Sequence, residues 1–167
     1  MNERKIVDKY LYRGLGFPIF LIDVPMIKMQ GIWTPDIDYN QFQKEILIAL
    51  ATRPFPLTGD QLHFIRTYFE MKLQNFATQF GVTHAAVIKW ENRREKIAKI
   101  QPTTEVCIRL FILEKLKVSN EEFRKVFRSM DLGKIADIQK RRETETKSDR
   151  LEGIFKERGR PQIRIAV

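Results

Sequence analysis

The side chains in this sequence that can do chemistry gather between Gln74 and Arg94, and they are hydrogen-bond donors and cations rather than nucleophiles. His84 and Lys89 can donate to N7 or O6 of guanine, and the methyl groups of Ala85 and Ile88 can meet a thymine methyl. Gln74, Thr83, Asn92, Arg93 and Arg94 carry groups suited to phosphate oxygens. This is the chemistry of reading a surface, with no bond made or broken. No glycine-rich phosphate cradle, HExxH pair or nucleophile elbow is present, so no catalytic residue and no enzyme are expected. Glu121-Glu122, and Asp36 with Asp38, read as charges at helix ends. The single cysteine, Cys107, can form neither an internal disulfide nor a cysteine-rich zinc site. No metal and no cofactor are expected, and the apolar run around Cys107 predicts a buried thiol.

Several elements must position those donors. Thr58 is the N-cap of a helix whose core positions are Leu62, Ile65 and Phe69, at the 3.6-residue period. A second helix runs from about Leu73 to Phe80 and buries Phe76, Ala77 and Phe80. Gly81 allows the tight backbone at its end, Val82 plugs the core, and Thr83 caps a third helix from His84 to about Asn92. On that third helix Ala86, Val87 and Trp90 face inward, which turns His84, Ala85, Ile88 and Lys89 outward. Two short helices joined by such a turn have the layout of a helix-turn-helix, whose second helix enters the major groove of double-stranded DNA. Arg93, Arg94, Lys96 and Lys99 follow in a loop. A further helix starts at Pro102 and carries Val106, Leu110, Leu113 and Leu116. A last one, opened by the capping-box spacing of Ser119 and Glu122, carries Phe123, Val126, Phe127 and Met130.

The run Phe76-Ala77-x-x-Phe80-Gly81-Val82-Thr83, followed by Val87, Trp90 and Glu91, resembles the lambda-repressor/Cro-type (Xre) helix-turn-helix family. PLTG followed by FIR, and the later GVTHAAVIKWE, are similar to the DNA-binding halves of antitoxins of bacterial type II toxin–antitoxin pairs. The resemblance covers residues 54–116, and residues 10–53 weakly. The sequence departs from the pattern at Lys72, where a small N-cap is usual, and at Leu73, where many members carry a polar residue. It also lacks the paired cysteines of an N-terminal zinc module. The resemblance implies a structural pair, Arg66 with Glu91, a guanidinium–carboxylate fork fixing the angle between first and recognition helices. It further implies a transcriptional repressor, a homodimer on a palindromic operator, and an antitoxin that neutralises a small RNA-cleaving toxin and represses its own operon. A stand-alone regulator without a toxin, and a protein-interaction adaptor that has lost DNA binding, stay open as alternatives.

Composition agrees with an anionic partner. The net charge is +9. Lys and Arg exceed Asp and Glu by one over residues 1–57, three over 58–101, two over 102–130 and three over 131–167. No apolar run approaches the roughly 18 residues of a membrane span, so no membrane association and a cytoplasmic location are expected. Residues 1–36 read as short strands around Tyr10–Tyr12 and Ile19–Val24, either a packing appendage or a surface for dimerisation or a protein partner. A helix from Asp38 to about Thr52 ends at Arg53-Pro54-Phe55-Pro56. Beyond Asp131 the sequence reads as a mobile tail or lone charged helix, although QIRIAV alternates like a strand. The expected fold is therefore mainly α. It comprises a five-helix, lambda-repressor-like helix-turn-helix bundle over residues 54–130, a small β-containing segment and helix over 1–53, and a charged tail over 131–167.

Overall fold

The computed structural model describes residues 3–53, 55–129, 137, 140, 150–156 and 160–166. In chain order the elements are β1 (Arg4–Tyr12), β2 (Ile19–Met29), β3 (Ile32–Pro35), α1 (Tyr39–Thr52), α2 (Gly59–Tyr68), α3 (Leu73–Gln79), α4 (His84–Glu91), α5 (Pro102–Lys115), α6 (Asn120–Ser129), β4 (Arg150–Lys156) and β5 (Arg160–Ala166). They divide into two compact units, Met1–Ile46 with Asp149–Val167, and Leu47–Ser148.

The first unit is a five-stranded sheet centred on β2. Along one edge β2 pairs antiparallel with β1, from Arg4↔Ile27 to Tyr12↔Ile19. Its other edge is shared. β3 pairs antiparallel with the Met26–Met29 end, while β4 pairs in parallel with the Ile19–Ile22 end and is itself paired antiparallel with β5. The β2–β3 connection is the pair Gln30-Gly31, both at positive φ (50° and 84°), as a type I′ hairpin turn requires.

Asp23 sits at φ 50° in the middle of β2, and no ladder pair joins it to Asp8 opposite. A strand normally alternates inside and outside. Here Ile19 and Leu21 are buried before the kink and Val24 and Met26 after it, so the alternation shifts by one residue. The buried face continues through Tyr12, whose ring meets Phe42 of α1 edge-on at 5.5 Å.

This corrects the mainly-α expectation. The chain is α+β, and β4 and β5 are strands of the central sheet rather than parts of a charged tail. The cause is the β-branched and aromatic content of LEGIF and QIRIA, which supports extended pairing once an open strand edge is within reach. Residues 141–149, read from sequence as part of a charged tail, and Met130, read as a core residue, lie outside the described residues.

In the second unit α2–α6 pack around Leu57, Leu62, Ile65, Phe76, Ala77, Val87, Ile108 and Ile112, each fully buried. Phe111 receives Phe69 and Phe80 edge-on, with centroids at 5.3 and 5.4 Å. Cys107 is exposed, not buried as the apolar run suggested. Its neighbours Ile108 and Arg109 take the inward positions of α5 instead. Among the described residues no helix is long and apolar enough to cross a membrane.

Candidate nucleic-acid interface

The candidate site is built from α2, α3 and α4. The first of these starts with a complete capping box: the Thr58 hydroxyl accepts from Gln61 N–H, and the Gln61 side chain accepts from Thr58 N–H at 3.0 Å. Gly59 then lies flat against the end of α4. A Cβ there would meet the Arg94 nitrogen at 2.6 Å and the Trp90 and Glu91 carbonyl oxygens at 2.6 and 2.7 Å, all backbone atoms. Two N–H groups of the first turn of α2 are satisfied by the loop after α4: Gly59 donates to Lys96 O and Asp60 to Arg94 O. Arg94 reaches this position at φ 55°. The basic loop is therefore pinned by backbone hydrogen bonds, not merely suspended between helices.

Between α3 and α4 the chain turns at Phe80-Gly81-Val82. Gly81 is at φ 64°, and Val82 N–H returns to Ala77 O at 3.0 Å. Such a left-handed step suits glycine because a side chain is strained there. Thr83 caps α4, its hydroxyl oxygen accepting from Ala86 N–H at 3.2 Å. By contrast α3 begins at Lys72 without a side-chain cap, since an ammonium cannot accept.

On α4 Val87 is fully buried and Ala86 and Trp90 are half-buried. His84, Ala85, Ile88 and Lys89 are all exposed on the remaining surface. Gln74, Thr83, Asn92 and Arg94 are exposed as well. Arg93 differs from the other expected phosphate contacts. It is half-buried, and its Nε donates to the Ile97 carbonyl, so one of its donors is committed to shaping the loop.

Behind this surface Arg66 and Glu91 form a fork. Arg66 Nε donates to Glu91 Oε1 at 2.6 Å and Nη2 to Oε2 at 2.9 Å, while Nη1 holds the Met71 carbonyl at 2.8 Å. Both side chains are 12% exposed. One guanidinium thus joins α2, the α2–α3 turn and the end of α4. His63, one turn before Arg66, adds a contact that sequence reasoning missed: its Nδ1 lies 2.9 Å from Glu91 Oε2. The same nitrogen lies 3.3 Å from Arg66 Nη2, so His63 meets both members of the fork. The only sequence signal was the i, i+3 spacing of His63 and Arg66. Burial pushes the Glu91 carboxyl pKa up, but the hydrogen bonds and charges of Arg66 and His63 outweigh it, and the net shift is downward.

A second buried pair, also missed, supports the segment leading into α2. Arg109 of α5 is 1% exposed. Its Nη1 donates to the carbonyls of Leu50 (2.8 Å) and Arg53 (2.6 Å) at the end of α1, and its Nη2 to the Phe55 carbonyl and to Glu105 Oε1. That same Glu105 oxygen accepts from Leu57 N–H at 3.2 Å. The carbonyls that a helix end leaves orphaned are collected by one side chain. Comparison with protein-family models, characterised proteins and solved structures yields no match.

Proposed function

We propose that this chain is a sequence-specific DNA-binding transcriptional repressor that places α4 in the major groove of double-stranded DNA. The supporting observation is the division of α4. Its buried side is anchored by Val87 and the Arg66–Glu91 fork, and its free side carries His84, Ala85, Ile88 and Lys89. Outward side chains on a helix held from behind by the core are what base-edge reading requires. His84 and Lys89 supply donors for purine edges, and Ala85 supplies a methyl surface. Gln74, Thr83, Asn92, Arg94 and the terminal guanidinium nitrogens of Arg93 hold phosphates on either side.

Under this reading the protein works in the cytoplasm as a homodimer on a palindrome, with half-sites about one helical turn apart. The finer reading is that it represses its own operon as the antitoxin of a type II pair and neutralises a small RNA-cleaving toxin. That step rests on the resemblance of PLTG and GVTHAAVIKWE, and co-purification with the product of the adjacent gene tests it.

The DNA reading is tested by titrating a labelled duplex from upstream of the chain's own gene. If two subunits neutralise roughly 6–10 phosphates, affinity falls about 10³–10⁵-fold between 50 and 200 mM salt. Lys89→Ala is expected to lose preference over a scrambled duplex. A flat salt response, or uniform weakening on every sequence, would count against base reading by α4.

A further inference from the structure

Four residues of α4 are exposed, and their chemistry is uneven: His84 and Lys89 are polar, whereas Ala85 and Ile88 offer only hydrocarbon. Ile88, 38% exposed, is a large aliphatic side chain left in water on a helix whose inward side is already carried by the fully buried Val87. A lone exposed isoleucine needs no explanation by itself. Its neighbours give it one. Ala85 lies one turn earlier, and residues at that spacing are adjacent on a helix surface, so the two make a short hydrocarbon strip between His84 and Lys89. What the exposed side lacks matters as much. Bidentate reading of adenine takes an asparagine or glutamine, and reading of the cytosine amino group takes a carboxylate. None of the four carries either group. The carboxylate of α4, on Glu91, is held by Arg66 behind the helix. Asn92 caps the C-terminal end of α4 and Gln74 stands on α3, both away from the N-terminal residues with which such a helix reaches base edges. Toward hydrocarbon, an A·T pair offers one feature, the C5-methyl of thymine.

We propose that Ile88 is a specificity-determining residue that reads the C5-methyl of a pyrimidine, so that α4 selects DNA by a buried methyl as well as by guanine acceptors. The proposal rests on the reading of α4 as the groove helix and goes beyond it in naming what Ile88 recognises. The contact is selective because it is apolar. Ile88 and the methyl both leave water when they meet, whereas uracil, with the same hydrogen-bonding edge as thymine, has no methyl to bury. 5-Methylcytosine carries the same group on the same ring carbon, and so gains the contact that unmodified cytosine lacks. From His84 to Lys89 the helix rises ~7.5 Å, against ~3.4 Å per base-pair step, so the methyl lies within about two base pairs of the guanine contact.

Duplexes enriched by the wild-type chain from a random pool supply the probe. Each thymine of the enriched motif is replaced in turn by uracil, and its T·A pair also by a C·G pair with and without the cytosine 5-methyl group. At one position or more the wild type is expected to bind the thymine duplex about fourfold tighter than the uracil one, and the 5-methylcytosine duplex about fourfold tighter than the cytosine one, the effect of burying one methyl. Ile88→Ala, at an exposed position, is expected to bring both ratios close to one while Lys89 keeps the guanine preference. A folding defect would instead weaken all four duplexes together and leave the ratios as they are. Ratios near one for the wild type, or ratios that Ile88→Ala leaves intact, would overturn the proposal and leave the DNA reading standing. No enriched motif at all would overturn both.

Discussion

Two arginine–glutamate pairs brace the helical unit, and they differ in what surrounds them. Arg109 and Glu105 are 1% exposed, and Arg109 spends its donors on backbone carbonyls from α1 and the segment after it. Arg66 and Glu91 are 12% exposed and bridge α2 to α4, with His63 at the solvent edge. The enclosed pair is a cap for chain ends that have no water to turn to. The half-open pair is an alignment device, and it fixes the angle at which α4 is presented. On the proposed function, the first governs whether the unit folds and the second how well the folded unit binds DNA.

This contrast can be broken in graded steps. Glu105→Ala strands the Arg109 cation in a dry site and is expected to destabilise by about 3–5 kcal/mol, read as a drop in the urea midpoint. Gly59→Ala is expected to destabilise by about 3 kcal/mol, because the atoms a methyl would strike are backbone and cannot rotate away. Arg66→Ala removes charged hydrogen bonds worth about 1.5–3 kcal/mol and should weaken DNA binding by more than its stability loss alone explains. The same fork gives a pH signature. The folded Glu91 pKa lies below its ordinary 4.5, so its stabilisation is complete above that value and disappears as pH falls through the folded value. Glu91→Gln should flatten this part of the stability–pH curve. Thr83→Ala, which removes one cap, is expected to cost about 1 kcal/mol and to fray α4 from His84 onward.

The helical unit was legible because its signals are local. Thr58, Gly81 and Thr83 mark ends, Phe76, Ala77 and Val87 mark a buried face, and each acts within a turn or two of itself. The partners of Arg109 were not legible, since a buried arginine on an apolar helix reads as a surface residue until the carbonyls it collects are seen. The reason for Gly59 was not legible either, because it lies at Trp90, Glu91 and Arg94, distant in sequence. The sheet was hardest. Ile19 pairs with Leu151, and no local pattern announces a partner across most of the chain. The Asp23 kink also breaks the alternation from which a strand's faces are read.

The central claim is that the outward stripe of α4 reads DNA bases. Selection of bound duplexes from a random pool tests it without knowing the operator, by comparing the wild type with His84→Ala/Lys89→Ala. The account predicts that the wild type enriches one motif and that the variant loses discrimination at the positions those side chains reach, while still binding duplex through its phosphate contacts. Identical motifs from both proteins, or no enrichment by the wild type, would contradict it.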